Sequence, residues 1–390
     1  MGRRLIFTVL AATLAATVLP ALAQSFSLVD LPAGADFGRA TGVSLDGATV
    51  VGTMAYPGFP APYAAFTWRR DSGRVDIGYP TPGAPNYLTG MAVSNDGRSV
   101  AGTSGFSGSI RAFRQTGTGP VEELPRLPNH QRHYGRAMSG DGSVIVGYSE
   151  FGSSSMSDGQ AWRWTESGGT QSLGVMRPGT NFSIANAISN DGRVIVGRSD
   201  LGNIGEAFRW TESGGFEPLA FLSNTLEIRA GEAHGASADG SIVVGFSNTG
   251  EPIPGNRYSH AVLWNAQGEI RDLGTLPAYR HSVAKETNAD GSVIGGIVYN
   301  AFDLSLPDQQ AMVWTEATGM LLLSDYLSSF GVSVPDNYYL RTLEGISGDG
   351  RTFVGLAVPT SGPSVPFVAT IPAPGSVVVI GVLAVLRRRR

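Results

Sequence analysis

From residue 26 to residue 371 the apolar positions fall into short runs, four to eight residues long, separated by turn-forming residues. The clearest run, Val194-Ile195-Val196-Gly197, follows Ser189-Asn190-Asp191-Gly192. Asp-Gly between two apolar runs is a hairpin signal, because Gly takes positive φ freely and Asp bonds to the local backbone. The same unit, Ser-x-Asp-Gly, an apolar strand and a Gly, occurs seven times, with Asn288 replacing Ser once. Its aspartates are Asp46, Asp96, Asp141, Asp191, Asp239, Asp290 and Asp349, spaced by 50, 45, 50, 48, 51 and 59 residues.

A second element trails each Asp-Gly. It reads Ala-x-x-Trp at Ala65–Trp68, Ala161–Trp164, Ala207–Trp210, Ala261–Trp264 and Ala311–Trp314, with degenerate copies at Ala112–Gln115 and Pro366–Ala369. A Ser/Gly turn often follows, as in Glu166-Ser167-Gly168-Gly169, and then a short Leu strand such as Leu173-Gly174. Each repeat therefore predicts four short strands, and no amphipathic helical period competes with them. Seven such repeats predict an all-β, seven-bladed β-propeller of four-stranded blades.

The ends of the repeat region are complementary. Phe26–Pro32 is a Leu strand with no Trp strand before it, and Phe367–Ile371 is a Trp-type strand with no Leu strand after it. Pairing the two completes one blade, closes the ring and removes exposed sheet edges. An open solenoid has no use for that complementarity.

Export and sorting are expected from the two termini. Arg3 and Arg4, the apolar run Leu5–Leu22 and the small-x-small site Ala21-Leu22-Ala23 before Gln24 read as a signal peptide over residues 1–23, a substrate for signal peptidase. Residues 372–390 open with Pro372-Ala373-Pro374-Gly375, continue through the ten-residue apolar run Val377–Leu386 and end in Arg387–Arg390. That run is shorter than the roughly 20 apolar residues a membrane span needs. The order resembles the PEP-CTERM sorting signal of Gram-negative bacteria, with Ala373 where Glu is usual. The resemblance implies transient membrane contact, an exosortase-like processing enzyme, and an extracellular or cell-surface destination.

Losing both ends takes six of the 28 basic residues and none of the 32 acidic ones, so the net charge moves from −4 to about −10. An acidic surface with Lys285 as its sole lysine disfavours nucleic acid. The chain has no cysteine, which excludes disulfides, thiolate metal sites and cysteine nucleophiles.

In an up-and-down blade the Asp-Gly and Ser/Gly turns share one face. The other face receives the longer, variable connections, where binding residues usually sit on a rigid scaffold. It gathers Tyr56, Tyr63, His130, His133, Tyr134, Tyr258, His260, Tyr279, His281 and Tyr299. These rings could form a platform for a glycan or a protein surface, or could pin the long loops to the blade ends.

The seven turn aspartates are expected to be structural. One Asp per hairpin does not supply the six to eight converging oxygens that calcium takes, and no metal or other cofactor is implied. The turn is similar to the Asp-box hairpin of sialidase-type propellers but lacks its following Gly-x-x-Trp. No His-Glu-x-x-His, nucleophile elbow or phosphate loop is present. Residues 161–197 (Ala-x-x-Trp-Thr-Glu-Ser-Gly-Gly, Leu-Gly, then Ala-x-Ala-Ile-Ser-x-Asp-Gly-x-Val-Ile-Val-Gly) resemble the HAF repeat of extracellular bacterial proteins, and the resemblance covers most of 26–371. It implies an extracytoplasmic repeat protein and carries no catalytic residues. The reading favours a non-catalytic binding or matrix protein that uses its long-loop face. The alternative is a hydrolase of extracellular polysaccharide with carboxylates at the channel mouth.

Overall fold

In a computed structural model the described residues are 24–57, 63–78, 87–106, 109–151, 158–201, 204–223, 230–250, 258–300 and 309–373. The expected signal peptide and all but the first two residues of the expected sorting segment lie outside them.

The first strand, β1 (Ser25–Leu28), stands apart in sequence. Six sets of four follow. They are β2–β5 (Phe37–Val43, Thr49–Ala55, Tyr63–Arg69, Gly73–Asp76), β6–β9 (Tyr87–Val93, Ser99–Phe106, Ser109–Thr116, Glu122–Glu123), and β10–β13 (Arg132–Met138, Val144–Glu150, Gly159–Thr165, Gly169–Gly174). Then come β14–β17 (Ser183–Ile188, Ile195–Leu201, Ile204–Thr211, Gly215–Pro218), β18–β21 (Gly231–Ala236, Val243–Asn248, Ser259–Trp264, Ile270–Gly274), and β22–β25 (His281–Thr287, Val293–Tyr299, Gln309–Thr315, Gly319–Leu322). A short helix α1 (Leu323–Ser329) precedes β26–β28 (Tyr338–Ile346, Thr352–Pro359, Val365–Thr370).

Within each set the strands pair antiparallel in chain order, and the last three strands take β1 as their fourth. Ser25 faces Thr370 and Leu28 faces Phe367, with the Phe26 and Phe367 rings stacked 5.9 Å apart. The expected pairing of the two chain ends is therefore present. Single parallel contacts, Tyr63 with Tyr87 and Arg132 with Ile110, join the first three sets at one end.

Cores form between neighbouring units. Val51 and Ala65 of one unit pack with Leu88, Val100 and Phe113 of the next. Val146 and Ala161 meet Ala185, Ile195 and Phe208 in the same way. Val354 and Val368 of the last unit pack with Val50 and Phe66 of the first. The recurrent Ala of Ala-x-x-Trp is buried at each unit boundary (Ala65, Ala161, Ala207, Ala261 and Ala311), where a larger side chain would push the units apart.

Helix α1 was not legible in the periodicity. Only seven residues long, it is held by tertiary packing of Leu323, Tyr326 and Leu327 against Val313, Leu340 and Phe353.

Candidate functional site

Each Ser-x-Asp-Gly turn builds the same bond network. In the fourth copy the Ser189 hydroxyl donates to Asp191 Oδ1 at 2.5 Å and accepts the Val194 N–H at 3.0 Å, while Asp191 Oδ1 accepts the Arg193 N–H at 3.0 Å. All seven aspartates accept the N–H two residues on. At Asp96 and Asp141 the serine hydroxyl and then the backbone N–H hold the carboxyl below its ordinary range. A side chain satisfied in this way defines the hairpin.

The x position of the motif has a second job. Asn95 N–H donates to Gly140 O (2.7 Å) and Gly140 to Asn190 O (2.9 Å), while in the fourth copy the Asp191 N–H next to the x residue donates to Ala238 O (3.1 Å). Ala238 donates to Ala289 O (2.9 Å), Ala289 to Gly348 O (3.1 Å), and Gly348 to Leu45 O (2.8 Å), so the last repeat is tied to the first. A Cβ on Gly348 would meet the tip of the exposed Leu45 side chain, which would have to turn aside.

The innermost strand of each unit carries a β-bulge at one register. It falls between Ala40 and Gly42, Gly90 and Ala92, Gly135 and Ala137, Ala185 and Ala187, Ala233 and Gly235, Ala284 and Glu286, and Leu343 and Gly345. The glycine that ends each apolar strand explains it. A Cβ on Gly197 would overlap the Ile184 carbonyl oxygen, and one on Gly245 the Glu232 carbonyl oxygen. A bulge re-aims the unopposed residue. The seven unopposed residues, Thr41, Met91, Arg136, Asn186, His234, Lys285 and Glu344, all line one cavity of about 360 Å³. They stand five residues before the seven turn aspartates. Aligning the repeats on those aspartates would have found them, since the scaffold around them repeats while they differ in size and charge.

Polar groups of the cavity are unevenly partnered. Glu344 binds Lys285 Nζ through both oxygens, at 3.0 and 3.1 Å. Glu232 accepts from Asn186 Nδ2 at 2.8 Å and from Arg198 Nη1 at 3.2 Å, while Arg198 Nε also holds Asp200 at 2.6 Å. Burial, and then the charge of Glu344, push the Glu286 carboxyl up to about 8, so it is mainly protonated at neutral pH. Burial also opposes ionisation of Glu344, but Lys285 and Arg39 overcome it and hold that carboxyl below its ordinary range. His234 is kept neutral chiefly by burial.

Tyrosines cluster nearby. Tyr63 meets Tyr87 edge-on at 5.2 Å, Tyr134 stacks on Tyr148 at 4.6 Å, and the Arg136 guanidinium lies 5.3 Å over the Tyr148 ring. Burial raises the Tyr87 and Tyr148 hydroxyls above their ordinary range, leaving them as neutral donors.

The rings expected on the long-loop face separate into several environments. His133 is fully buried, stacked on Trp162 at 4.1 Å, with neither ring nitrogen hydrogen-bonded among the described residues. His130 Nδ1 pairs with the Ser149 hydroxyl at 2.7 Å, and its ring lies 3.8 Å from Phe151. Tyr258, His281 and Tyr299 come together, with His281 stacked on Tyr299 at 4.7 Å and edge-on to Tyr258 at 5.5 Å. His260 Nδ1 lies 3.0 Å from Asp272, while Tyr56 and Tyr279 pack against separate cores. Tyr87, Tyr148, Arg39 and Arg136 were not singled out by the sequence. Among the described residues no group of three His, Asp or Glu stands close enough to hold a metal ion.

No family model matches the chain, and no curated protein does. Solved structures do. Oligogalacturonate lyase from Vibrio parahaemolyticus aligns at TM-score 0.56 and 14% identity over 89% of this chain and 97% of that one. The β-propeller domain of the Trilobed protease from Pyrococcus furiosus aligns at TM-score 0.53 and 9% identity over 86% and 94%. TolB from Acinetobacter baumannii aligns at TM-score 0.41 and 13% identity over 80% of this chain, which spans 60% of that protein's length. At such identities the likeness concerns fold alone, and the fold of this nearly all-β chain is that of the β-propellers.

Proposed function

We propose that this chain is an exported, cell-surface or extracellular propeller of seven blades, closed by β1 on β28, and that it binds a glycan or protein ligand without transforming it. Closure is supported by the paired chain ends, the Val354–Val50 core contact and the Gly348–Leu45 hydrogen bond. The binding reading rests on one observation. Seven repeats with near-identical scaffolds each project a different side chain into one cavity. Selection for stability alone has no reason to vary those positions so widely, whereas recognition does.

The hydrolase reading has one specific feature in its favour. A protonated Glu286 beside an ionised Glu344 is the acid and carboxylate combination that glycosidases use. Lys285 occupies both Glu344 oxygens, however, which blunts that carboxylate as a nucleophile or base.

The test uses the full chain, surface-labelled in its host and then purified. Labelling from outside the cell, followed by ligand binding without release of reducing ends, is the expected result. Saccharide cleavage that Glu286→Gln abolishes would replace binding with hydrolysis, and labelling confined to the cytoplasm would overturn export.

A further inference from the structure

The inner strand of the sixth repeat breaks a pattern that the other six keep. In those six the four residues ending at the turn Ser are a variable residue, Gly or Ala, an apolar residue and Ser, as in Asn186-Ala187-Ile188-Ser189. The sixth reads Lys285-Glu286-Thr287-Asn288, and all four residues line the cavity. Three of them have partners within the protein. Lys285 holds Glu344, the Thr287 hydroxyl donates to Val293 O at 3.1 Å, and Asn288 Oδ1 accepts the Val293 N–H at 2.9 Å. Glu286 has no ion pair among the described residues.

Glu286 stands in the slot that elsewhere holds Gly or Ala because the next repeat lies close. A Cβ on Gly235 would lie 2.8 Å from the Lys285 carbonyl oxygen, and one on Gly42 3.2 Å from that of Met91. The residue across the strand pair departs as well. It is Val51, Val146, Val196, Val244 or Val354 in five repeats and Ala101 in the second, but Gly295 opposite Glu286, so the apolar side chain that would crowd the carboxyl is missing. Directed like its counterparts, Glu286 points at the seventh repeat, whose Glu344 is the charge that bears on it most. Burial and then Glu344 outweigh the Thr287 N–H and Lys285, and keep the Glu286 carboxyl protonated at neutral pH. A slot altered on both strands to hold one acid beside another costs stability and returns none to the fold.

Such a slot lacks a positive charge. Among the described residues no group of three His, Asp or Glu stands close enough for a metal ion, which points to an organic cation. An ammonium is a compact charge that a single carboxyl meets. A guanidinium brings five donors, and the other acids of the cavity are engaged, Glu344 by Lys285 and Glu232 by Asn186 and Arg198. Val43, Val93, Met138, Ile188, Ala236 and Ile346 of the same wall offer contact to a methylene stem, against which the hydroxyls of an amino sugar would be ill placed. The cavity volume of about 360 Å³ suits one side chain.

We propose that the cavity takes a lysine side chain of a protein ligand, its ammonium beside Glu286 and its methylene stem against the apolar part of the wall. This rests on the binding reading above and, of its two ligand classes, selects the protein. Glu286 gives its proton to solvent as the ammonium enters, so the net charge of the cavity is unchanged. The charged and titratable groups around it are Glu344 on β26, Lys285 on β22, and Glu232 and His234 on β18. Glu344 and Glu232 are held ionised and His234 neutral, which leaves Glu286, at about 8, as the acid that titrates near neutrality.

The experiment is calorimetry on the full chain, in two buffers of different ionisation enthalpy. Its probes are a capped glycine pentapeptide with a central lysine, the same peptide with Nε-acetyl-lysine, the same with arginine, a glucosamine oligosaccharide and a neutral glucose oligosaccharide. The lysine peptide is expected to bind at least about tenfold more tightly than the rest and to release about one proton at pH 7. Its affinity should rise by up to about tenfold per pH unit below about pH 8 and level off above. Glu286→Gln should abolish the proton release and flatten the pH profile. Glu286→Ala, which restores the residue type of the other repeats, should lose binding while unfolding at the same or higher denaturant. Loss of stability in both variants would make Glu286 a structural acid and overturn the proposal. Equal binding of the acetylated peptide, or lysine-peptide binding indifferent to Glu286, overturns ammonium recognition. Equal or tighter binding of the arginine peptide or the glucosamine oligosaccharide overturns the choice of lysine. Binding of the neutral oligosaccharide alone overturns this proposal and leaves the binding reading standing, whereas no binding by any probe overturns both.

Discussion

At the scale of single residues, the repeat separates positions that must stay the same from positions free to differ. In six of the seven turns the inner Ser is buried and bonded on both sides of its hydroxyl, and in the other Asn288 Oδ1 accepts the same N–H, so the chemistry of the position is dictated by the hairpin. The residue five before each Asp lines the cavity, and where it bonds, as Thr41 does to Gly90 O and Asn186 to Ala233 O, it bonds to the next unit rather than to its own hairpin. His133 is a different case, a polar ring enclosed against Trp162 and held neutral by burial, its pKa lowered to about 3 from an ordinary 6.5. Because the unfolded chain takes up a proton there first, stability is lost as pH falls from about 6.5 toward 3. His133→Phe keeps the ring packing and removes this linkage. Urea unfolding at pH 7 and pH 5 should show the variant losing less stability on acidification, by up to about 1.4 kcal/mol per pH unit in that window. Parallel losses in the two proteins would mean that His133 is not buried as a neutral ring.

Elements are decided by turn and bulge together. The Asp-Gly hairpin starts the second strand of each pair, and the Gly five residues further on lets the two backbones approach until the inner strand must bulge. Gly197→Ala places a methyl group on the Ile184 carbonyl oxygen. It is expected to cost more than ~3 kcal/mol in chemical denaturation, through loss of backbone approach and of the neighbouring ladder bonds. The control is Gly78→Ala, where a Cβ meets nothing within 4 Å, and it should change stability by less than ~0.5 kcal/mol. Equal effects at the two sites would refute the role given to the bulge. The four strands per repeat were legible because turn chemistry and apolar alternation are local. Helix α1 was not, because seven residues carry too little periodicity to announce a helix that only packing sustains.

For the whole molecule, the ends matter most. β1 covers the outer edge of β28, with Phe26 on Phe367 and the first and last units sharing a core. Deleting residues 25–31 leaves that edge bare, and bare edges recruit other chains. The truncated protein should unfold at lower denaturant, by at least ~3 kcal/mol for the lost Phe26 and Leu28 packing, and should associate with rising concentration in light scattering. Retained stability and a monomeric mass would show that β1 does not protect the edge of β28.

Period, strand count, hairpin chemistry and the complementarity of the two chain ends were all determined by the sequence alone. Each depends on residues close together in the chain or on copies of one pattern. The cavity was decided only by tertiary structure. Its lining comes from strands about fifty residues apart, each turned inward by a bulge that one glycine in the adjacent strand makes room for. Likewise, Tyr, His and Arg look alike on a loop in sequence, and only packing sets His133 inside, lays Arg136 on Tyr148 and draws Tyr258, His281 and Tyr299 together. Burial and partnership are properties of the assembled molecule, and no local pattern encodes them.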